Sequence, residues 1–302
     1  MDNLAMMNIG AVERDTGLGK DTLRVWERRY GFPTPLRDAN GERLYSSEQV
    51  ERLRLIKRLM DQGHRPGKLF LASDEDLLLL AGASKPTERA ATTDDQSIVS
   101  QILALIKAHD VQGLRHALNQ AMMRQGLHHF VLDTVVPLNR TVGEAWMRGE
   151  LEVFEEHLYS EQMKSLLRQA ISSLPNNTNG RPRILLTTVP EESHALGLLM
   201  VEALLTLDGA TCISLGTQTP LLDIRQAAEA HGADIVGLSF SSAFASRQIA
   251  PVLNQLRELL PASIELWAGG AGMEKIQAIE RVSAFPTLED ALAALQLKAR
   301  VE

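Results

Sequence analysis

The chain has 302 residues, which is enough for two or three domains with sizeable cores. Its composition, 44% hydrophobic and 23% charged, is that of an ordinary soluble protein, and no apolar run approaches the ~20 residues of a transmembrane helix. The single cysteine, Cys212, excludes an internal disulfide framework and favours a reducing cytoplasm. Although the net charge is −7, residues 1–72 carry 13 Lys and Arg against 10 Asp and Glu, which is typical of a weakly basic nucleic-acid-binding head.

Breaks in the hydrophobic pattern divide the chain into four segments. Residues 1–80 are rich in arginine and helix signals, and residues 81–97 hold many breakers, which predicts a linker. Residues 98–175 show helical periodicity and predict a helical segment, for which the resemblance given below implies a four-helix bundle. Residues 176–302 alternate short apolar runs with amphipathic stretches, which predicts an α/β domain.

The first segment predicts two short helices, a wing and a longer helix. The first helix covers residues 9–14 and the second covers residues 20–30, with a glycine-containing turn between them. Residues 33–45 place a DANG turn between two arginines, which indicates a β-wing, and residues 46–63 form the longer helix. Either Val25 or Trp26 can face inward from the second helix.

Side chains on the second helix and the wing suit duplex DNA. A helix can enter the major groove, where arginine pairs bidentately with guanine, and arginines on a wing can bind phosphate. The candidate contacts are Thr22, Arg24, Arg28, Arg29, Arg37 and Arg43. A solvated basic helix in an α-helical scaffold is the alternative interpretation of the same pattern.

Residues 22–63, which begin TLRVWERRYG and include the wing with Arg37, Gly41, Arg43 and Tyr45, resemble the DNA-binding domain of MerR-family regulators. The resemblance implies a winged helix-turn-helix over residues 1–80 that binds double-stranded promoter DNA. It also implies a homo-oligomer, dimer or tetramer, and adds Tyr45 to the DNA-binding residues. Glu42 departs from the family, in which most members have tyrosine after the wing glycine. The WERRYG version is similar to the branch whose effector domain binds cobalamin.

In the helical segment, nine residues separate Trp146 from the pair Glu156 and His157. The indole ends one predicted helix and the pair lies on the next, so all three side chains can face one cavity. The alternative is that Trp146 belongs to the core and that Glu156 and His157 are surface residues.

The last segment predicts a parallel sheet of the Rossmann-like, flavodoxin type. Strands are predicted at 183–188, 211–216, 234–240, 263–270 and near 281–285, and helices at 192–207, 220–231, 244–260, 271–279 and 287–300. This alternation indicates βαβ units. Ligands of such sheets bind beyond the carboxyl ends of the strands.

Polar and small residues follow several of these strands. They are Glu192, His194, Gly197, Ser239, Gly269 and Gly270. A neutral imidazole at His194 could ligate a metal, and Glu192 could orient it through the other ring nitrogen. The glycines could let the backbone approach a bulky ligand. A merely solvated histidine on the loop is the alternative.

Together these motifs, over roughly residues 97–302, resemble the cobalamin-binding fold of methionine synthase and mutases. The resemblance implies that His194 replaces the dimethylbenzimidazole tail as lower axial ligand of cobalt, and that the tail lies beside Ser239 and the Gly-Gly motif. Glu192 stands in place of the usual Asp, and Ser241 stands where the family often has Leu. Glutamate keeps the orienting carboxylate, so ligation by His194 is still implied.

Joined to the MerR-like head, the Trp and Glu-His signature is similar to the cobalamin-dependent light-sensing repressors of the CarH/LitR type. This resemblance implies that Trp146, Glu156 and His157 wall the upper pocket of 5′-deoxyadenosylcobalamin. It further implies that in darkness the bound 5′-deoxyadenosylcobalamin holds the assembly on DNA, and that light cleaves the cobalt–carbon bond. Met147 stands where several of these sensors carry a cobalt-capturing histidine, so a bis-histidine light state is not implied.

We therefore expect a cobalamin-binding transcriptional regulator, a light-responsive repressor that is not an enzyme. One alternative is a light-independent MerR-type regulator that senses cobalamin or protein partners. Another is a component of a corrinoid-dependent methyltransferase, which would have no need of the DNA-binding head. No residue pattern resembles an activated nucleophile paired with a base.

Overall fold

A computed structural model describes residues 6–38, 41–61, 64–73, 76–77, 80, 93–175, 182–274 and 276–299. The chain forms two compact units, residues 1–88 with 147–150 and residues 89–146 with 151–302. Across the described ranges, no helix has both the length and the apolar character needed to cross a bilayer. Most of the predicted linker, residues 81–92, lies outside the described residues.

The first unit is a winged helix-turn-helix. Its elements are β1 (Met7–Asn8), α1 (Ile9–Thr16), α2 (Lys20–Tyr30), β2 (Leu36–Arg37), β3 (Arg43–Tyr45), α3 (Ser47–Asp61) and α4 (Pro66–Leu69). The bounds of α2 are as predicted, whereas α1 runs two residues further before Gly17 ends it in the left-handed conformation. β1 was not predicted; it pairs antiparallel with β3, on whose other edge β2 lies.

The core of this unit decides which face of α2 is outward. Leu23 and Trp26 are buried, whereas Val25 is exposed, so Trp26 supplies the inner face. Phe70 packs edge-on against Trp26 and stacks on Tyr30, which holds the end of α2 in the core.

The second unit begins with four helical segments. Its elements are α5 (Thr93–Lys107), α6 (Val111–His129), a π-helical turn (Phe130–Val135), α7 (Val136–Met147) and α8 (Val153–Ser173). The start of α5 at Thr93 corrects the predicted linker of residues 81–97, because the helix extends five residues N-terminal to its buried Ile98, Ile102 and Ile106. Gly126, with φ 73° and ψ 159°, breaks α6 near its end, and the chain then continues through the π-helical turn into α7.

The α/β domain follows as a five-stranded parallel sheet. Its elements are β4 (Arg183–Thr187), α9 (Leu196–Leu207), β5 (Thr211–Gly216), α10 (Leu221–Ala230), β6 (Ile235–Ser239), α11 (Ser246–Leu259), β7 (Glu265–Gly269), a 3₁₀ turn (Ala271–Met273), β8 (Val282–Phe285) and α12 (Leu288–Ala299). The strand order β5-β4-β6-β7-β8 is the flavodoxin-like order, which confirms the predicted fold class.

The predicted helix at 271–279 was wrong. Only the 3₁₀ turn forms there, because the chain after β7 is pressed against the end of β6. A Cβ added to Gly272 would lie 2.6 Å from the carbonyl oxygen of Ser241, and Gly270 has a positive φ of 97°. The predicted helix 192–207 also begins late, at Leu196, which leaves Glu192 and His194 on a loop.

Two apolar cores lie on opposite faces of the sheet. Ile184 and Leu186 of β4 pack with the helical bundle, α9 and α12, whereas Leu185 packs with α10 and α11. The bundle and the sheet therefore share one continuous core through α9, within a single compact unit.

Candidate functional site

The strand order reverses at β4, which lies between β5 and β6. In open α/β sheets such a reversal leaves a crevice between the loops that follow the two diverging connections, and ligands bind there. Glu192 and His194 lie on the loop after β4, and Ser241 follows the end of β6. The sequence-predicted pair is thus at the expected edge of the sheet.

Glu192 holds this loop together from inside. Its side chain is 1% exposed, and Oε1 accepts a hydrogen bond from the backbone N–H of His194 at 2.9 Å. Oε2 accepts two more, from the backbone N–H of Ser241 at 2.7 Å and from its hydroxyl at 2.8 Å. One carboxylate therefore ties the loop after β4 to the end of β6.

Electrostatics keep Glu192 charged. Burial acts to raise the pKa of Glu192, but the hydrogen bonds from His194 and Ser241 outweigh it, and the pKa lies below its ordinary value. A buried charge with this many donors is satisfied, so the carboxylate can act as a permanent acceptor for an imidazole.

His194 projects from the loop with 58% of its side chain exposed. Its Nδ1 lies 2.7 Å from Glu192 Oε1 and 3.1 Å from the Ser241 hydroxyl. Because Nδ1 is engaged, Nε2 is the ring nitrogen that would bind a metal. An outward imidazole whose other ring nitrogen faces a buried carboxylate is suited to metal ligation.

Two residues of this arrangement were not predicted as site residues. Ser241 was noted only as a departure from the family pattern. The hydroxyl of Thr188 donates to the carbonyl oxygen of Glu192 at 2.5 Å and accepts the backbone N–H of Gln218 at 2.8 Å, which fixes the backbone of the loop. A hydroxyl residue just after β4 and another just after β6 are the sequence signal that could have identified Thr188 and Ser241.

The predicted glycines serve close packing of the protein itself. A Cβ on Gly197 would lie 2.8 Å from the Ser239 hydroxyl oxygen, so two predicted site residues are direct neighbours. A Cβ on Gly270 would lie 2.5 Å from the carbonyl oxygen of Phe240, and one on Gly269 would lie 3.0 Å from that of Phe285. These strand ends approach one another only because side chains are absent there.

The predicted upper residues lie on the helical bundle. Trp146 is near the end of α7, half-buried against the shared core. Glu156 and His157 lie in the first turn of α8, where Glu156 accepts the Ser160 hydroxyl at 2.5 Å and contacts His157 Nδ1 at 2.8 Å. The His157 side chain is 71% exposed.

A buried glutamate organises the start of α8. Glu155 accepts the backbone N–H of Glu152 at 2.7 Å in a capping box, and its other oxygen lies 2.9 Å from His109 Nε2. Since Glu155 is only 7% exposed, these contacts satisfy a carboxylate that water scarcely reaches. Glu156 and His157 thus begin a helix whose first turn is fixed.

In the other unit, α2 presents arginines to solvent. Arg24, Arg28 and Arg29 are exposed, whereas Thr22 is half-buried. Arg24 is paired with Asp21 at 2.9 Å on the surface, an interaction that is weak in water and easily exchanged for a phosphate or a base. The helix therefore offers the basic face that the sequence predicts.

The wing is tied to α2. Arg43 Nε donates to Glu27 at 2.7 Å, and this hydrogen bond raises the pKa of Arg43. Arg37 is exposed and donates to the carbonyl oxygen of Gly41 at 2.9 Å, bracing the turn. Tyr45 is fully buried, so its ring belongs to the core and offers no exposed surface to DNA.

Three regions of the chain match known family models. Residues 7–69 match the MerR HTH family regulatory protein, and residues 98–171 and 182–295 each match a B12 binding domain. The first match covers the winged helix-turn-helix with the exposed arginines. The other two cover the helical bundle and the sheet domain with the His194 loop. These features define a MerR-type transcriptional regulator with a cobalamin-binding effector part.

Whole-chain relatives carry the same arrangement. The chain is 32% identical over 270 residues to the HTH-type transcriptional repressor CarH of Myxococcus xanthus, covering 87% of this chain and 88% of that protein. It is 30% identical over 276 residues to the repressor CarA of the same organism, covering 90% of each. The chain therefore belongs to the family of MerR-type, B12-binding regulators that includes CarH and CarA, as the sequence motifs predicted.

The effector fold is shared with corrinoid proteins. The monomethylamine corrinoid protein of Methanosarcina barkeri matches with a TM-score of 0.53 at 18% identity, over 67% of this chain and 99% of that one. At this identity the match supports the fold alone: a helical bundle joined to a flavodoxin-like sheet.

Proposed function

We propose that the protein is a light-responsive repressor that uses 5′-deoxyadenosylcobalamin as its chromophore. In this proposal it acts on promoter DNA in the cytoplasm as a homo-oligomer, a dimer or a tetramer, and turns over no substrate. The observation that carries the cobalamin part is the His194–Glu192–Ser241 arrangement at the switch point of the sheet. The repressor part is supported by the names of CarH and CarA, which both span most of the chain.

The lower side of the proposed site would bind the cofactor and orient its ligating histidine. His194 would hold cobalt through Nε2 while Glu192 fixes the tautomer and the ring direction. The tail of the cofactor would lie beside Ser239, Gly269 and Gly270, at the carboxyl ends of β6 and β7.

The upper side of the proposed site would sense whether the cofactor carries its adenosyl group. Bound 5′-deoxyadenosylcobalamin would supply a light-sensitive cobalt–carbon bond. Trp146, Glu156 and His157 would contact the adenosyl group, and their position depends on the packing of the bundle against α9. A ligand shifts an equilibrium only by its differential affinity for two states, so removal of the adenosyl group by light would favour a looser bundle. Since Met147 replaces the histidine of several relatives, this chain has no histidine there to capture the cobalt.

The light proposal is tested with the full chain loaded with adenosylcobalamin in the dark. Its visible spectrum, its elution volume on size exclusion and its affinity for a duplex selected from a randomised pool are measured before and after green light. Hydroxocobalamin-loaded protein, which has no photolabile alkyl group, is the matched control. We expect illumination to lower the oligomeric state or the DNA affinity of the adenosyl form only. Unchanged elution together with unchanged DNA binding would leave a light-independent cobalamin sensor.

The DNA part is tested on α2. Arg24 and Arg28 lie one helical turn apart, and alanine at each should cost ~1–3 kcal/mol by removing a bidentate pair with a base, and should relax the selected sequence. Arg37→Ala on the wing should weaken all sequences alike and flatten the salt dependence. Arg225→Ala, an exposed arginine of the sheet domain paired with Glu229, is the control. Intact affinity of the Arg24→Ala, Arg28→Ala protein would show that α2 is not the reading helix.

A further inference from the structure

A part-buried chain of hydrogen bonds joins three helices of the effector unit. The hydroxyl of Tyr159 on α8 donates to Asn139 Oδ1 at 2.5 Å. Asn139 on α7 in turn donates through Nδ2 to the sulfur of Met200 on α9 at 3.5 Å. None of these three residues belongs to the sequence motifs, so the chain of hydrogen bonds has no role in the function proposed so far.

Each member of this chain stands close to a wall of the proposed cobalamin site. Asn139 lies seven residues, or about two helical turns, before Trp146, which places both on the same face of α7. Tyr159 lies one turn after Glu156 on α8 and feels its charge, and Met200 lies one turn after Gly197 on α9. The hydrogen bonds therefore connect the helices of the upper wall to the helix that follows the His194 loop.

Tyr159 fixes the direction of the hydrogen bonds in this chain. Its side chain is 1% exposed, and burial, with a further contribution from Glu156, raises its pKa well above the ordinary value. The hydroxyl therefore stays protonated and acts as a donor. Because it donates to Oδ1, the amide of Asn139 is fixed with Nδ2 toward α9.

Much of the described junction between bundle and sheet is apolar, although Arg168 of α8 also acts electrostatically on Glu202 of α9. Leu198, Leu199 and Ala203 of α9 share the core with the bundle. Apolar contacts are non-directional and tolerate small displacements of one helix along another, whereas a hydrogen bond specifies distance and angle. The Asn139 amide is thus suited to fix how α7 and α8 sit on α9.

We propose that Asn139 is a positioning residue that fixes the upper wall, Trp146, Glu156 and His157, relative to the His194 loop. Its consequence is selectivity: the protein prefers cobalamins with a bulky adenosyl group over those with a small upper ligand. This inference rests on the proposed cobalamin site and names what sets its specificity.

The test compares two cobalamins in the dark on the full chain. Dissociation constants for adenosylcobalamin and hydroxocobalamin are measured by absorbance titration for wild type, Tyr159→Phe and Asn139→Leu. We expect adenosylcobalamin to bind about five- to tenfold more weakly to Tyr159→Phe, which loses one part-buried hydrogen bond, and at least as weakly to Asn139→Leu, which loses both. Hydroxocobalamin binding should change less than about twofold in either variant. Thr134→Val is the matched control, because it removes another buried hydroxyl of the bundle, which donates to Gln125 of α6 and takes no part in the Asn139 chain.

The ratio of the two affinities separates the possible outcomes. The inference would be overturned if the variants bound both cobalamins equally more weakly, or if Thr134→Val changed the ratio of the two dissociation constants by the same factor. Either result would show that Asn139 has only a general structural role. An unchanged ratio in Tyr159→Phe, which keeps the ring and its packing, would do the same even if Asn139→Leu failed to fold. Wild type that binds neither cobalamin would instead overturn the proposed function itself.

Discussion

The two sides of the proposed cobalamin site are built in different ways. On the lower side, one buried carboxylate, Glu192, accepts from His194 and Ser241 across two strand ends, so the loop geometry is fixed by the sheet. On the upper side, His157 is largely exposed and Glu156 is satisfied within its own helical turn. The upper side chains therefore take their place indirectly, through the helices that carry them and the Asn139 hydrogen bonds between those helices, while the lower ligand is held directly by hydrogen bonds. A directly held base under an indirectly held wall suits a site that must retain a cofactor and also respond to it.

The largest effect should come from the ligand itself. His194→Ala removes the imidazole on which the fixed lower side depends, and we expect cobalamin to dissociate at least ~100-fold faster, with the remaining bound fraction showing a tail-on spectrum. His231→Ala, an exposed histidine after α10 in the same domain, is the control. If the His194→Ala protein kept the wild-type spectrum, His194 would not be the lower ligand, and the proposed contrast between the two sides would fail.

A smaller effect is expected at Ser241. Ser241→Ala removes one of the two hydrogen bonds to Glu192 Oε2 and leaves the backbone donor in place. A cost of ~1 kcal/mol corresponds to cofactor retention about five- to tenfold weaker, with the spectrum of the bound form preserved. Ser242→Ala at the next, exposed position should leave retention unchanged. Equal behaviour of the two variants would mean that the backbone alone fixes Glu192.

The start of the upper wall can be loosened without touching the site. His109→Ala deprives the buried Glu155 of its partner at 2.9 Å, and a cost of ~1 kcal/mol in a unit of this size lowers the Tm by about 2–4 °C. His129→Ala, an exposed histidine paired with Asp133, should change it by less than half of that. If the two variants had the same Tm, the contact between His109 and Glu155 would not stabilise the start of α8.

The smallest effect is expected at Cys212, under α9. Burial raises the pKa of its thiol to about 12, so at pH 8 the reactive thiolate is on the order of 10³-fold scarcer than in a free cysteine. Because the folded thiol keeps a proton that the unfolded one loses above about pH 8.5, its contribution to stability falls as the pH rises from there toward 12. If the lower side is rigid, alkylation of native protein at pH 8 should be equally slow in the dark and after illumination. Faster labelling in the light would show that α9 also moves.

Local signals were sufficient for most of the fold. The apolar runs of β4 and β5 and the periodicity of α2 gave their bounds to within a residue, since burial on both faces or on one stripe shows directly in the order of side chains. The helix expected at 271–279 failed because its backbone is occupied with the end of β6, a contact between distant residues. The early start of α5 at Thr93 was missed because its first residues are polar.

The sequence pointed to candidate site residues but not to the contacts between them. Glu192 and His194 were visible as a pair two residues apart. Ser241 lies 49 residues from Glu192, and only the reversal of strand order at β4 brings the two together. Tyr45 shows the opposite error: a motif position was assigned to the DNA surface, although its ring fills the core of the wing unit.

The close approach of Gly197 and Ser239 couples the evolution of helix α9 and the end of β6. An alanine side chain would suit helix α9 by up to ~1 kcal/mol, but its Cβ would lie 2.8 Å from the Ser239 hydroxyl oxygen. A lineage therefore gains helix stability here only if that hydroxyl rotates away or is lost, as in Ser239→Ala. Either change alters the polar wall of the crevice, so the stability of α9 and the lining of the crevice evolve together.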